Sequence, residues 1–395
     1  MLCGAFGGGA SSPAKGIRTG TGEINIASGG NFTLANDNTV VYTAGRNAEA
    51  LAGFDAPEAS LKPLYLADGG DINIDVEGNI VGKEATSNSR QMINQWLFRQ
   101  GGGTANAVPK DTSWWVRPDL FKQSLATFGG GNVNINAGGN IENFSASLAT
   151  TARFDSNGNT GNQRIDGGGD LTLKAGGDIV NGTYFVAKGD GYIDSAKEIR
   201  RVGSIGTVIA LMDGKSTVSA SENATIGSVV NPTLFAASTT NVPVTSQVQN
   251  RGDGAYFNSY GVDSKVAVSS LTGNVSLGGV APLLSSSGLF TTDLVDKTAG
   301  YYPGTVNATA FGGDVSLTNV RLIPAANGNL SVLADNDISI GNVLMSDADL
   351  LLFPNPQRTV KRFGDNEAEI RALSGTPVHI NNETTASIIA QNGSI

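Results

Sequence analysis

The sequence predicts an all-β solenoid, in which very short strands wind as coils and stack in parallel. Three observations carry that expectation. A phrase of Gly, then Asn or Asp, then apolar-polar-apolar recurs along the chain, as in "GGGNVNINAGGNI" (129–141) and "GGGDLTLKAGGDI" (167–179). Glycine is 53 of 395 residues, about 13 per cent against a usual ~7. Apolar residues are 39% and evenly spread, enough for a core and too many for a disordered chain. No third-residue glycine period exists, which excludes collagen.

The elements follow from the phrase. It occurs in pairs eight residues apart: Gly22-Glu23 with Gly30-Asn31, Gly70-Asp71 with Gly78-Asn79, Gly131-Asn132 with Gly139-Asn140, Gly169-Asp170 with Gly177-Asp178, and Gly328-Asn329 with Asn336-Asp337. Single copies stand at Gly273-Asn274, Gly313-Asp314 and 393–395. Within each copy the apolar residues alternate, as Ile72 and Ile74, Val133 and Ile135, or Leu171 and Leu173, which is the period of a half-buried strand. Glycine and Asn/Asp are expected to make the corners, because they tolerate positive φ and can bond nearby backbone. Hairpins favour "NG" or "DG"; the order here is mostly reversed, which favours parallel coils with apolar ladders inside and a polar ladder at each bend. A coil of roughly 20–30 residues at ~4.8 Å per strand gives on the order of 15 coils and about 70 Å.

These phrases, with "SVLADNDISI" (331–340) and "ASIIAQNGSI" (386–395), resemble the filamentous haemagglutinin family, large exoproteins of two-partner secretion in Gram-negative bacteria. Less repetitive pieces carry the resemblance further: "INQWLFRQGGG" (93–103), "TSWWVRPDLFKQSLATFGGGNV" (112–133) and "SENATIGSVVNPT" (221–233). The resemblance implies a right-handed parallel β-helix. It also implies the shaft of a secreted or outer-membrane-attached adhesin, with a receptor or glycan on a host or neighbouring cell as partner. An outer-membrane transporter would then export the full-length protein. A stem carrying a toxin domain is the neighbouring possibility. The family's Asn-Pro-Asn secretion signature is missing, "NPTL" at Asn231 and "NPQ" at Asn355 being no match, so the chain reads as an interior segment.

Composition narrows function further. A net charge of −9 argues against a nucleic-acid partner, which demands a basic stripe, and "KEIRR" (197–201) reads as a solvated face. The lone Cys3 excludes a disulfide framework and a multi-cysteine metal site. No run of 18 apolar residues is present to span a membrane as a helix. The N-terminus "MLCGAFGGGASSPAKG" lacks the basic start and the ~7–15-residue apolar run of a secretory signal, which places any export signal outside this chain.

Two regions break the phrase. In the 83–128 insertion, Met92, Ile93, Trp96 and Leu97 fall at helical spacing after Asn88 and before Gly101, and 118–128 reads as a second short helix after Pro118. Trp96, Trp114 and Trp115 all lie here; they either pack the insertion onto the coil or form an aromatic platform for a glycan. Residues 184–269 read as irregular, loop-rich coils, where binding commonly resides.

Within them Arg251-Gly252-Asp253 is an integrin-type tripeptide with a guanidinium and a carboxylate across one turn. Asp155, Asn157, Asn159, Gln163 and Asp166 approach calcium-loop spacing, but position six is Thr160 where glycine is required. His379 is the only histidine and alternates with apolar neighbours, as a strand-surface residue does. No metal, cofactor or catalytic residue is expected. The enzyme alternative, a polysaccharide lyase or hydrolase, would use carboxylates. Yet Asp71, Asp170, Asp178, Asp314 and Asp337 occupy the slot that Asn31, Asn79, Asn132, Asn140 and Asn274 fill elsewhere. An amide cannot ionise, so the exchange argues for corners.

Overall fold

In the phrase strands every second side chain is apolar, so a strand can bury one face only if its neighbours wrap the same face around a common axis. The computed structural model does this. It describes residues 15–36, 38–48, 53–54, 62–84, 93, 96–102, 110–153, 155, 162–203, 206–234, 259–278, 301–323, 325, 328–345 and 385–395. The architecture is a right-handed parallel β-helix with three faces.

Face A carries Ile24–Ser28, Ile72–Val76, Val133–Ala137, Leu171–Ala175, 191–195, 215–220, Lys265–Ser270, Thr305–Ala310, Asn329–Ala334 and Thr385–Ala390, each paired in parallel with the next. Face B runs beside it from Phe32–Thr33 through Ile80–Val81, Ile141–Glu142, Ile179–Val180, Ile199–Arg200, 224–226, Val275–Gly278 and Val315–Thr318 to Ile338–Ile340. Face C closes the coil with Lys15–Thr19, Thr39–Thr43, Leu125–Thr127, Ala146–Leu148, 183–186, 208–211 and 228–230. Further along the axis Tyr301–Tyr302, Val320–Leu322 and Val343–Met345 form a separate parallel sheet.

Inside, equivalent residues stack as ladders: Ile74, Ile135, Leu173, Ile193, Val218, Val268, Ala308 and Val332 are all buried on face A. Each Val, Leu or Ile so enclosed contributes about 1.5–3 kcal/mol relative to exposure. The eight-residue spacing of the phrase is the step from the C–A corner to the A–B corner. The leanest coil takes 20 residues, Asp170 to Asp190, and the longest 61, Asp71 to Asn132. Chain spent on insertions is therefore chain not spent on coils. The ten face-A strands among the described residues, at ~4.8 Å, span about 43 Å, because coils lengthened by insertions are longer than the 20–30 residues expected.

Among the described residues the insertion strands leave the coil beside face C. Leu97–Gly102 and Lys110–Val116 form an antiparallel hairpin, extended by Thr150–Arg153 and Arg164–Gly167 into a four-stranded sheet. That corrects the helix expected over 88–100, since its described C-terminal part enters a strand; the helix expected over 118–128 is a 3-10 turn at Pro118–Leu120 followed by face-C strand Leu125–Thr127. The hairpin hides its period of two because adjacent Trp114 and Trp115 are both buried, which only a strand covered on both faces allows. A second core thus lies outside the coil, where Tyr42, Phe128, Phe185 and Met212 of face C meet Trp96, Phe98, Trp115 and Phe121.

Residues 184–269 are also more regular than expected where they are described. Thr183–Ser195 and Thr207–Ala220 are the longest strands, 13 and 14 residues, passing from face C to face A without a break and pairing over nearly their whole length.

Candidate functional site

The A–B corner is the part of the coil that never lengthens by more than one residue and never carries an insertion. Three residues turn it at 77–79, 138–140 and 176–178, and four at 271–274 and 311–314. Its last residue builds a polar ladder along the shaft. The Asn79 amide N–H donates to Asn31 Oδ1 (2.8 Å), Asn140 to Asn79 (2.8 Å) and Asp178 to Asn140 (2.9 Å). Asn274 donates to Asn223 (2.9 Å), Asp314 to Asn274 (2.7 Å), Asp337 to Asp314 (3.0 Å) and Ser394 to Asp337 (2.7 Å). A second ladder at the C–A corner runs from Asp71 through Asn132 and Asp170 to Asp190. Asn and Asp serve equally here because both offer Oδ1 as acceptor.

The glycine of the phrase is required for a reason other than the one expected at the A–B corner. Gly78, Gly139, Gly177 and Gly313 are absent from the left-handed region; instead a Cβ on each would overlap the ladder Asn side chain of the preceding coil. At the C–A corner Gly131, Gly169 and Gly189 do have positive φ, between 111° and 147°, so conformational freedom matters there.

On face B, beside the ladder, lies a groove of about 480 Å³. Its floor is a column of hydroxyls, half-buried Thr225, Ser276 and Ser316 and exposed Ser339, and its rim is the corner column Glu198, Asn223, Asn274, Asp314 and Asp337. One cation reaches it. Arg200 is held by Asp178 at 2.7 Å, and that hydrogen bond raises the guanidinium pKa above its ordinary value. Asn223 Nδ2 donates to Glu198 Oε1 at 2.6 Å. Asp314 and Asp337 each spend Oδ1 on the ladder, and both residues are exposed.

The sequence candidates lie elsewhere. Trp96, Trp114 and Trp115 are at most 1% exposed, which removes them as a platform. Trp96 packs edge-on against Phe121 (5.3 Å) and Phe128 (5.5 Å) and donates to Gln123 Oε1 (3.0 Å); Trp114 donates to Thr150 Oγ1 (3.1 Å). Arg251, Gly252, Asp253, His379, Asn157 and Asn159 fall outside the described residues. Asp166 lies between Arg164 (2.8 Å) and Arg153 (3.6 Å), and Asp155 is buried and accepts from Asn162, so these two carboxylates are already engaged.

Comparison with known protein families, with curated proteins and with solved structures finds no match. The groove was invisible in the sequence because its hydroxyls come from four separate coils. The usable signal was the repeated apolar-Thr/Ser-apolar triplet of 224–226, 275–277, 315–317 and 338–340, read against the corner.

Proposed function

We propose that the chain is a shaft segment of a secreted or surface-attached bacterial adhesin, stiffened by its ladders and contacting a receptor or glycan on a host or neighbouring cell. The observation that carries this reading is the unbroken face-A ladder from Ile24 to Ala390, every strand of which is bonded in register to the next. Such a stack resists bending because each rung shares its backbone bonds with two neighbours. The described hairpin insertion beside face C is supported by a second aromatic core, so it decorates the shaft without breaking it. The family resemblance adds an outer-membrane transporter as partner of the full-length protein. The exchange of Asn and Asp along both corner ladders supports a structural use of these carboxylates over a lyase or hydrolase.

The test is attachment. Beads coated with the purified chain should bind epithelial cells saturably, and soluble chain should compete. Attachment no greater than that of albumin-coated beads refutes the adhesive reading. If attachment occurs, its loss in Asp253→Glu assigns it to Arg251-Gly252-Asp253; retention assigns it elsewhere.

A further inference from the structure

The groove on face B has a shape and chemistry that the shaft does not require. It crosses five successive coils, from Glu198 and Arg200 through 223–225, 274–276 and 314–316 to Asp337 and Ser339. Four rises of ~4.8 Å make it about 19 Å long. Its axis is that of the shaft, at right angles to the strands.

Four of the five coils place one hydroxyl on the floor, the fifth places Arg200 there, and each places one amide or carboxylate on the rim. The hydroxyls of Thr225, Ser276, Ser316 and Ser339 have no hydrogen-bond partner among the described residues. The rim is tied down by the ladder, so its outward atoms are fixed in place and lose little freedom on binding. Two adjacent coils add a residue to the corner, and the added length exposes Leu271 (62%) and Phe311 (60%) on the same edge. Large exposed apolar side chains on a corner otherwise made of small and polar residues mark a contact surface.

Charge selects among ligands. Glu198, Asp314 and Asp337 oppose an anionic polymer, and the single cation Arg200 is already paired with Asp178. The backbone of the central face-B strands is bonded on both sides, so no edge is available to an added peptide strand. What the site offers is a regular row of donors and acceptors, with the exposed Phe311 on the same corner three residues before the rim residue Asp314. We propose that this groove binds a linear neutral polysaccharide laid along the shaft, its hydroxyls bonded by the Thr225-Ser276-Ser316-Ser339 column and the rim, and one ring resting on Phe311. The site stands whether or not the chain is an adhesin, and soluble sugars test it without cells.

The experiment is calorimetric titration of the full chain with hexasaccharides of β-1,4-linked glucose, xylose and N-acetylglucosamine, and separately with hexagalacturonate and hexalysine. At least one neutral hexamer should bind with Kd below about 1 mM, and hexagalacturonate at least tenfold more weakly. The double variant Ser276→Val with Ser316→Val, and Phe311→Ala alone, should each weaken binding at least tenfold while the β-sheet circular dichroism is unchanged. Thr172→Val, on outward face A, should bind as the unmodified chain does. Should the double variant not fold, Ser276→Ala reads the same floor and should weaken binding several-fold. Absence of binding by all three neutral hexamers overturns the proposal. So does folded Ser276→Val/Ser316→Val binding with undiminished affinity, or hexalysine binding more tightly than the sugars.

Discussion

The Gly-Asn phrase is best tested by the contact that explains it. Asn79 Oδ1 accepts the Asn140 amide at 2.8 Å, and a methyl on Gly139 would overlap that oxygen while lying 3.1 Å from Gly78 C. Gly139 is not in the left-handed region, so Gly139→Ala carries no backbone strain of its own and would by itself gain about 0.4–1 kcal/mol from the unfolded state. Its effect comes from displacing Asn79, which strands the half-buried Asn140 N–H at about 1–3 kcal/mol. Asn79→Ala strands the same N–H and should be destabilising by a similar amount. In the double variant the bond is already gone and the methyl enters space the amide vacated. The two changes should therefore share one loss, with a coupling of about 1–2 kcal/mol. Urea unfolding at fixed pH, followed by circular dichroism with a common m-value, measures the cycle. Asn79→Asp keeps the acceptor and should stay close to the unmodified chain. Additivity within about 0.5 kcal/mol would refute the account and return the glycine to a purely conformational role.

Trp96→Ala removes a fully buried ring from between Phe121, Phe128 and Phe185 and leaves Gln123 without its donor. It should be destabilising by about 3–5 kcal/mol, with limited proteolysis cutting first in the insertion; unchanged stability would contradict its packing role. Burial pushes the phenols of Tyr184, Tyr260 and Tyr302 well above their usual range. Unfolded phenols titrate near ~10, so above that pH the unfolded chain has lost protons that the folded chain keeps. Stability should be flat below about pH 10 and fall as pH rises beyond it. Urea midpoints at pH 8 and pH 11 check this, and Tyr184→Phe should flatten the fall. Tyr260→Phe should in addition lose about 1 kcal/mol at neutral pH, because its hydroxyl donates to Tyr301 O at 2.7 Å. Equal midpoints at both pH values would count against the buried phenols.

Legibility varied with how locally each feature is encoded. Ile72, Ile74, Val133 and Ile135 announce their strands because alternation and flanking corners sit within one phrase. Gly189-Asp190 in "KGDGYID" completes the C–A ladder, yet it lies inside the continuous strand Thr183–Ser195, where no loop punctuates the sequence. The hairpin around Trp114 and Trp115 was misread because burial on both sides erases the alternation on which strand recognition depends.

By itself, then, the sequence determined that short strands stack in parallel, that each phrase is a corner plus a strand, and that Asn and Asp are interchangeable at corners. All of this rests on interactions within about a dozen residues or on strict repetition. Only the tertiary structure decided that the described hairpin insertion emerges beside face C, that the tryptophans form a second core there, and that hydroxyls from four coils line one open groove. Those outcomes depend on which residues share a face after winding. Coil lengths between 20 and 61 residues make that registry unreadable along the chain.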